Sequence, residues 1–305
     1  MESKAVSQTS LSSLAKAHSR RKGVLLMIGA GLCWSTGGIL VRNVKLTDPW
    51  EIVFWRSIFL VTFMVGILFL WHRLKIFEKI AEVGWQGVLA GGLLASTFFF
   101  FILSVTRNTV ANTLVLMSVG PFLIALSGRV FLGELVPLRT WGTIGVALAG
   151  IFLMFSEGLN AGQTVGNILA LCVPSAFALQ IVILRRAHAS VNMVPTVLLA
   201  GVFSALVSFP LACPLTPSLR DFLVLGIMGW VQLGTGCVLM TLATRYLSAG
   251  EVGLFTLLET ILGPIWVWLG LGERPTDMAL AGGLMVIFAL LLNGLLGMRD
   301  RSNPD

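Results

Sequence analysis

A chain of 305 residues that is 56% hydrophobic and 11% charged, with a mean hydropathy of +0.91, is not a water-soluble globular domain. Such a domain carries roughly 25% charged residues, so the solvent for this chain is the lipid bilayer. The net charge of +7 does not make it a nucleic-acid binder, because the basic residues sit in short segments between apolar runs rather than in one patch.

Residues 1–22 carry Lys4, Lys16, Arg20, Arg21 and Lys22 among serines and read as a disordered, basic, cytosolic arm. A full-length apolar run follows without a small-residue cleavage site, so the arm is not expected to be a cleavable signal. A bilayer core of about 30 Å takes about 20 apolar residues as a helix. Ten segments fit: 23–41, 50–71, 85–105, 109–131, 139–156, 164–184, 193–212, 221–243, 250–271 and 278–297, followed by a cytosolic tail, 298–305. Polar punctuation such as Arg73 to Glu82 and Glu134 to Leu138 separates them. Trp50, Trp71, Trp85 and Trp141 fall at span ends, where an interfacial aromatic belt is expected. With the N-terminus inside, fifteen Lys and Arg fall in cytoplasmic segments and five outside, with Arg56 left within a span. The positive-inside rule then places both termini in the cytoplasm.

A phrase occurs twice. Leu132-Gly133-Glu134 returns as Leu271-Gly272-Glu273, 139 residues later, and a shift of 143 lays Gly23 on Gly166, Trp34 on Phe177 and Arg42 on Arg185. Ten spans divide into five and five. Because five is odd, the second half enters the membrane from the opposite side and the repeat is inverted. The glycine of each Gly-Glu pair is expected to shape a tight turn, with the glutamate pairing a basic neighbour such as Arg139 or Arg274.

The span ending in Phe131-Leu132-Gly133-Glu134, with Pro121 before it and Trp141-Gly142 and Gly150 after it, resembles the end of an EamA domain. Leu257-Leu258-Glu259, Leu271-Gly272-Glu273-Arg274-Pro275 and Gly282 resemble a second copy. The chain is thus similar, over about residues 23–297, to the drug/metabolite transporter superfamily. The implied fold is all-α: ten transmembrane helices in two inverted five-helix EamA-type repeats, 23–156 and 164–297. One departure is Thr260 where proline often follows Leu-Leu-Glu; Pro264 moves the expected break of the ninth helix one turn later.

Ionisable residues inside spans are rare and costly, so the few present carry information. Glu259, mid-way along the ninth span, reads either as a cavity carboxylate that binds a substrate amine or carries a coupling proton, or as a group that only pins helices together. Arg56 lies about 9 Å into the second span at 1.5 Å per residue, within snorkelling reach of the headgroups; the alternative is a counter-charge for a substrate carboxylate. Glu51, Glu251 and Asp221, at span ends, mark the interface. Ser96, Thr97, Asn112, Ser118, Ser175, Gln180, Gln232 and Thr235 are expected mostly to bond neighbouring helices, and Phe98 to Phe101 to fill core and face lipid. The resemblance implies that spans one, three, four, six, eight and nine surround a central cavity. On that implication the substrate-binding candidates are Trp34, Ser96, Ser118, Phe177, Gln180, Gln232 and Glu259, with Glu259 the candidate for proton coupling.

Cys33, Cys172, Cys213 and Cys237 have no CxxC spacing, and His18, His72 and His188 lie in polar segments, so no metal site is expected. Neither a GxxxxGK[ST] phosphate loop nor an intramembrane catalytic set such as HExxH or GxSxG occurs; no cofactor and no enzyme activity are expected. The resemblance implies a multi-pass inner-membrane secondary transporter that exports a small-molecule substrate, an amino acid or related zwitterion. The competing reading is a multidrug exporter of lipophilic cations, favoured if Glu259 faces an aromatic cavity containing Trp34 and Phe177. The glycine-rich fifth and tenth spans can pack against lipid or against a second copy, leaving a homodimer open.

Overall fold

A computed structural model describes residues 2–107, 110–155, 164–187, 192–271 and 277–302, and among these all regular structure is helical. In lipid every backbone N–H and C=O must be satisfied within the protein, which a helix does locally. In chain order the helices are α1 (Glu2–Ser35), α2 (Gly37–Asn43), α3 (Pro49–His72), α4 (Ile76–Glu82), α5 (Gly84–Arg107), α6 (Val110–Met117), α7 (Gly120–Leu132) and α8 (Leu138–Phe155). The remainder are α9 (Thr164–Ala187), α10 (Pro195–Ala212), α11 (Leu219–Ile227), α12 (Gly236–Ala243), α13 (Ala249–Leu271) and α14 (Asp277–Ser302), with a π-helical segment, Met228–Thr235, joining α11 to α12.

Among the described residues seven stretches are long and apolar enough to cross a membrane: Ser19–Asn43, Pro49–Trp71, Gly84–Arg107, Thr164–Ala187, Pro195–Ala212, Leu219–Ala243 and Ala249–Gly270. Three shorter apolar helices, Gly120–Leu132, Leu138–Leu153 and Leu280–Ala289, stand where the fourth, fifth and tenth spans were expected. The outer surface carries large apolar side chains: Leu70 is 78% exposed, Leu284 67% and Phe288 64%. In water such a surface would aggregate; in lipid it is solvated.

Local chemistry sets the ends and bends. Asp48 caps α3, its Oδ1 accepting the N–H of Trp50 at 3.0 Å, with Pro49 in the first turn where its missing N–H costs nothing. α7 ends at Gly133, whose φ of +66° is the left-handed conformation glycine adopts freely, as expected of the first Gly-Glu pair. Gly272 and Glu273, the second pair, lie outside the described residues, as do Arg274 and Pro275. The chain turns between α6 and α7 at Ser118 and Val119, immediately before Gly120-Pro121, where the proline supplies no N–H to a continuing helix. α13 is helical throughout, so the break expected near Pro264 is not there. α1 is helical from Glu2, extending the apolar span backwards through alanines and lysines that favour helix.

The packing reproduces itself when the two halves are exchanged. α5 lies on α9 as α12 lies on α1, α7 on α9 as α13 on α1, and α5 on α10 as the π-helical segment on α3. The pairs α3–α10, α7–α13 and α8–α14 map onto themselves, so they are contacts across the axis relating the halves. Small residues permit close approach in these pairs. A Cβ on Gly150 of α8 would lie 2.8 Å from the carbonyl oxygen of Gly282 on α14, so the glycines of this pair serve contact within the chain.

Candidate functional site

A cavity of about 890 Å³, open space at its mouth included, lies where the halves meet. Its walls come from α1, α3, α5, α6, α7, α9, the π-helical segment, α12 and α13, and they are mostly apolar with a few polar groups. Trp34 from the first half and Phe177 from the second touch edge to face, ring centroids 5.8 Å apart. From α5 come Leu94, Thr97, Phe98 and Phe101, spaced at i, i+3, i+4 and i+7, one face of a helix. Glu259, half-buried on α13, lines it together with Thr256 and Thr260 of the same helix.

Arg56 lies in the same wall and does not snorkel. Its residue is 2% exposed, because α3 is covered by α10 and by the π-helical segment. The guanidinium Nη2 donates to Gln232 Oε1 at 3.3 Å, while Nε and Nη1 have no hydrogen-bond partner among the described residues. No ion pair within 4.0 Å joins Arg56 to Glu259 among the described residues. The π-helical segment is what brings Gln232 here. Its wider turns displace the helix face by a residue, a distortion that recurs at functional sites. Gly229 within it lets α3 approach so closely that a Cβ would lie 2.7 Å from the carbonyl oxygen of Arg56. Gly37, at the start of α2, leaves the space occupied by the Gln232 amide, 3.0 Å from where a Cβ would be.

Of the seven candidates named from sequence, Trp34, Ser118, Phe177, Gln232 and Glu259 line this cavity. Ser96 does not: its hydroxyl donates to the carbonyl of Leu93 on another face of α5, and the neighbouring Thr97 takes the cavity position. Gln180 does not either; it is fully buried one turn along α9 from Phe177, with neither amide atom hydrogen-bonded among the described residues. Most of the small hydroxyls bond the carbonyl three to five residues back in their own helix rather than a neighbour, as at Thr97, Ser175 and Thr235. The side chain of Asn112 lies outside the described residues. For Arg56 the sequence left two readings, snorkelling and a counter-charge for a substrate carboxylate, and the cavity position agrees with the second; the aromatic pair Phe98 and Phe101 was passed over, and its i, i+3 spacing was the available signal.

The acidic residues at the span ends tie loops of one half to the other. Glu51 is 4% exposed and accepts the N–H of Thr216 at 2.7 Å; Asp221, 3% exposed, accepts the N–H of Lys45 at 2.9 Å and caps α11 with Ser218. At the opposite end Glu134 pairs with Arg185 at 2.5 Å, and its second oxygen accepts the N–H of Ala249 at 2.9 Å. Arg185 also donates to the carbonyls of Thr244 and Leu247. Beside this cluster Arg20 bonds Glu251 at 2.7 Å, joining α1 to α13.

Apolar outer faces, two interchangeable halves and a polar-tipped cavity at their seam define a multi-pass membrane transporter. The chain belongs to the EamA-like transporter family, whose profile matches residues 21–156 and again residues 164–295. It is 25% identical over 279 residues to the pseudopaline exporter CntI of Pseudomonas aeruginosa strain UCBPP-PA14, covering 89% of this chain and 95% of that one. The protein of the same name from strain PAO1 is also 25% identical, over 281 residues. A crystal structure of another protein superposes with a TM-score of 0.78 at 16% identity, covering 91% of this chain and 98% of that one, a likeness of fold.

Proposed function

We propose that this protein is a secondary exporter of the inner membrane that moves a small polar metabolite, an amino acid or related zwitterion, through the central cavity. The reading takes ten spans in two inverted repeats, 23–156 and 164–297, with both termini cytoplasmic and the halves rocking about the seam. The observation that carries it is the half-buried carboxyl of Glu259 in a cavity built by both halves. A carboxyl there has two uses. It pairs with the ammonium group of a substrate, or it takes up a proton when the ammonium leaves, which couples export to proton entry. Trp34, Ser118, Phe177 and Gln232 shape the rest of the site. That a relative matched over nearly the whole chain is a pseudopaline exporter supports the direction.

One observation favours the second reading, export of lipophilic cations: Glu259 does share its cavity with Trp34, Phe177, Phe98 and Phe101. The guanidinium of Arg56 in the same wall weighs against it, since two like charges 4 Å apart repel by about 4 kcal/mol at an effective dielectric constant near 20. A substrate carrying both signs meets no such penalty. Counterflow in proteoliposomes decides: exchange of labelled amino acids supports the proposal, whereas movement of tetraphenylphosphonium without any amino acid exchange overturns it.

A further inference from the structure

We infer that Arg56 is the anion-binding pole of the cavity and makes the transporter selective for substrates that carry a carboxylate. The inference rests on the transport reading above and adds what that reading leaves open, the group that recognises the acid end. A guanidinium buried to 2% exposure is stabilised when its donors are used, and here most are not. Nε carries one N–H and Nη1 two, and none of these has a partner among the described residues. Gln232 takes one hydrogen of Nη2. Whichever hydrogen that is, one edge of the planar guanidinium keeps two parallel N–H groups free. Two parallel N–H donors on a fixed plane match the two oxygens of a carboxylate, a geometry that an ammonium cannot offer.

The setting fits a site rather than a structural ion pair. Glu259, the one carboxyl among the described residues lining the same cavity, does not reach Arg56 within 4.0 Å, so neither charge neutralises the other by direct contact. Gln232 is a neutral acceptor: it orients the guanidinium without cancelling its charge. Gly37 and Gly229 supply the room for that amide and for the close approach of α3. Opposite charges on separate helices of one largely apolar cavity suit an α-amino acid: carboxylate on Arg56, ammonium toward Glu259.

The test is counterflow in proteoliposomes with the twenty standard amino acids, each beside its carboxamide, which keeps the ammonium and the side chain and removes only the acid. The wild-type protein should exchange one or more amino acids and discriminate against the amide by roughly ten- to a hundred-fold, the size of a hydrogen bond to a charged group. R56Q should bring that ratio close to one, and R56K should keep part of it. Q232E, which presents a resident carboxylate to the same guanidinium, should lower exchange of the acids while the protein remains folded by gel filtration. It also serves as the independent variant if R56Q does not fold. An unchanged acid-to-amide ratio in R56Q, or unchanged acid exchange in Q232E, overturns the inference while leaving amino acid transport standing. Absence of any amino acid exchange by the wild-type protein removes both.

Discussion

Trp34 and Phe177 meet edge to face with their planes at 79°, and the shift of 143 residues that lays one half of the sequence on the other lays Trp34 on Phe177. Two positions exchanged by a two-fold operation touch only if both lie close to its axis. The axis relating the halves therefore passes beside the cavity, and any rocking of one half on the other must change this contact. The pair is worth about 0.5–1.5 kcal/mol, small enough to be remade between states.

Trp34 is held where it is by an absence. A Cβ on Gly236 would lie 2.5 Å from its Nε1 and 2.7 Å from Cδ1, and a ring cannot yield that much without leaving Phe177. Gly236→Val should therefore lower transport by roughly ten- to a hundred-fold, the cost of a misplaced positioning group, while the protein still elutes as a folded species. Trp34→Phe should retain more activity than Gly236→Val. Initial rates of counterflow for the two variants check this, and equal activity of Gly236→Val and wild type would show that the ring does not shape the path.

The contrast between Ser96 and Thr97 shows what sequence could and could not reveal. Hydropathy located the spans because burial in lipid leaves a run of about 20 apolar residues whatever the neighbours are. Which face of a span looks inward is decided by packing, and one residue along a helix turns the side chain by about 100°. Ser96 was named and Thr97 is in the wall. The pattern Leu94, Thr97, Phe98, Phe101 held that information, but four adjacent phenylalanines obscured it. Arg56 was legible only as one of two readings. Its depth of six residues allows snorkelling, and only the cover of α10 and the π-helical segment prevents it. The π-helix itself leaves no local signal in Met228–Thr235 beyond its glycines.

The Arg185–Glu134 pair should behave as a latch between the halves. Glu134→Gln keeps an oxygen for the N–H of Ala249 and loses the charge, whereas Arg185→Ala also abandons the carbonyls of Thr244 and Leu247 and strands a partly buried carboxylate. Both should destabilise the protein in detergent and lower its melting temperature, with the free-energy loss in Arg185→Ala the larger by about 1–3 kcal/mol. The double variant should be less damaging than the sum of the two, since the same contact cannot be lost twice. Thermal unfolding of the three variants is the measurement; additive effects would show that the residues act independently.

Gln180 is a buried amide with no partner for Oε1 or Nε2 among the described residues. An unsatisfied amide costs about 1–3 kcal/mol, and methionine fills similar volume without that cost. Gln180→Met should raise the melting temperature. If the amide finds partners only in another state of the transport cycle, the same variant should transport more slowly while being more stable. A variant that is both less stable and equally active would contradict the burial described here.

Glu259 carries the proposed coupling, so its variants give the most direct reading of mechanism. It lines the cavity together with Thr256 and Thr260 and makes no ion pair within 4.0 Å with Arg56. If protons and substrate compete for it, outward transport should accelerate when the external side is made more acid, and an imposed proton gradient should concentrate substrate. Glu259→Gln mimics the protonated carboxyl at every pH. It should abolish accumulation against a gradient and flatten the pH profile, yet leave folded protein in the membrane. Substrates without an ammonium group should lose less affinity than amino acids. Glu259→Asp keeps the charge but shortens the reach, and should retain the pH dependence at a reduced rate. An unaltered pH profile in Glu259→Gln would remove this carboxyl from coupling and leave downhill, facilitated movement as the mode of transport.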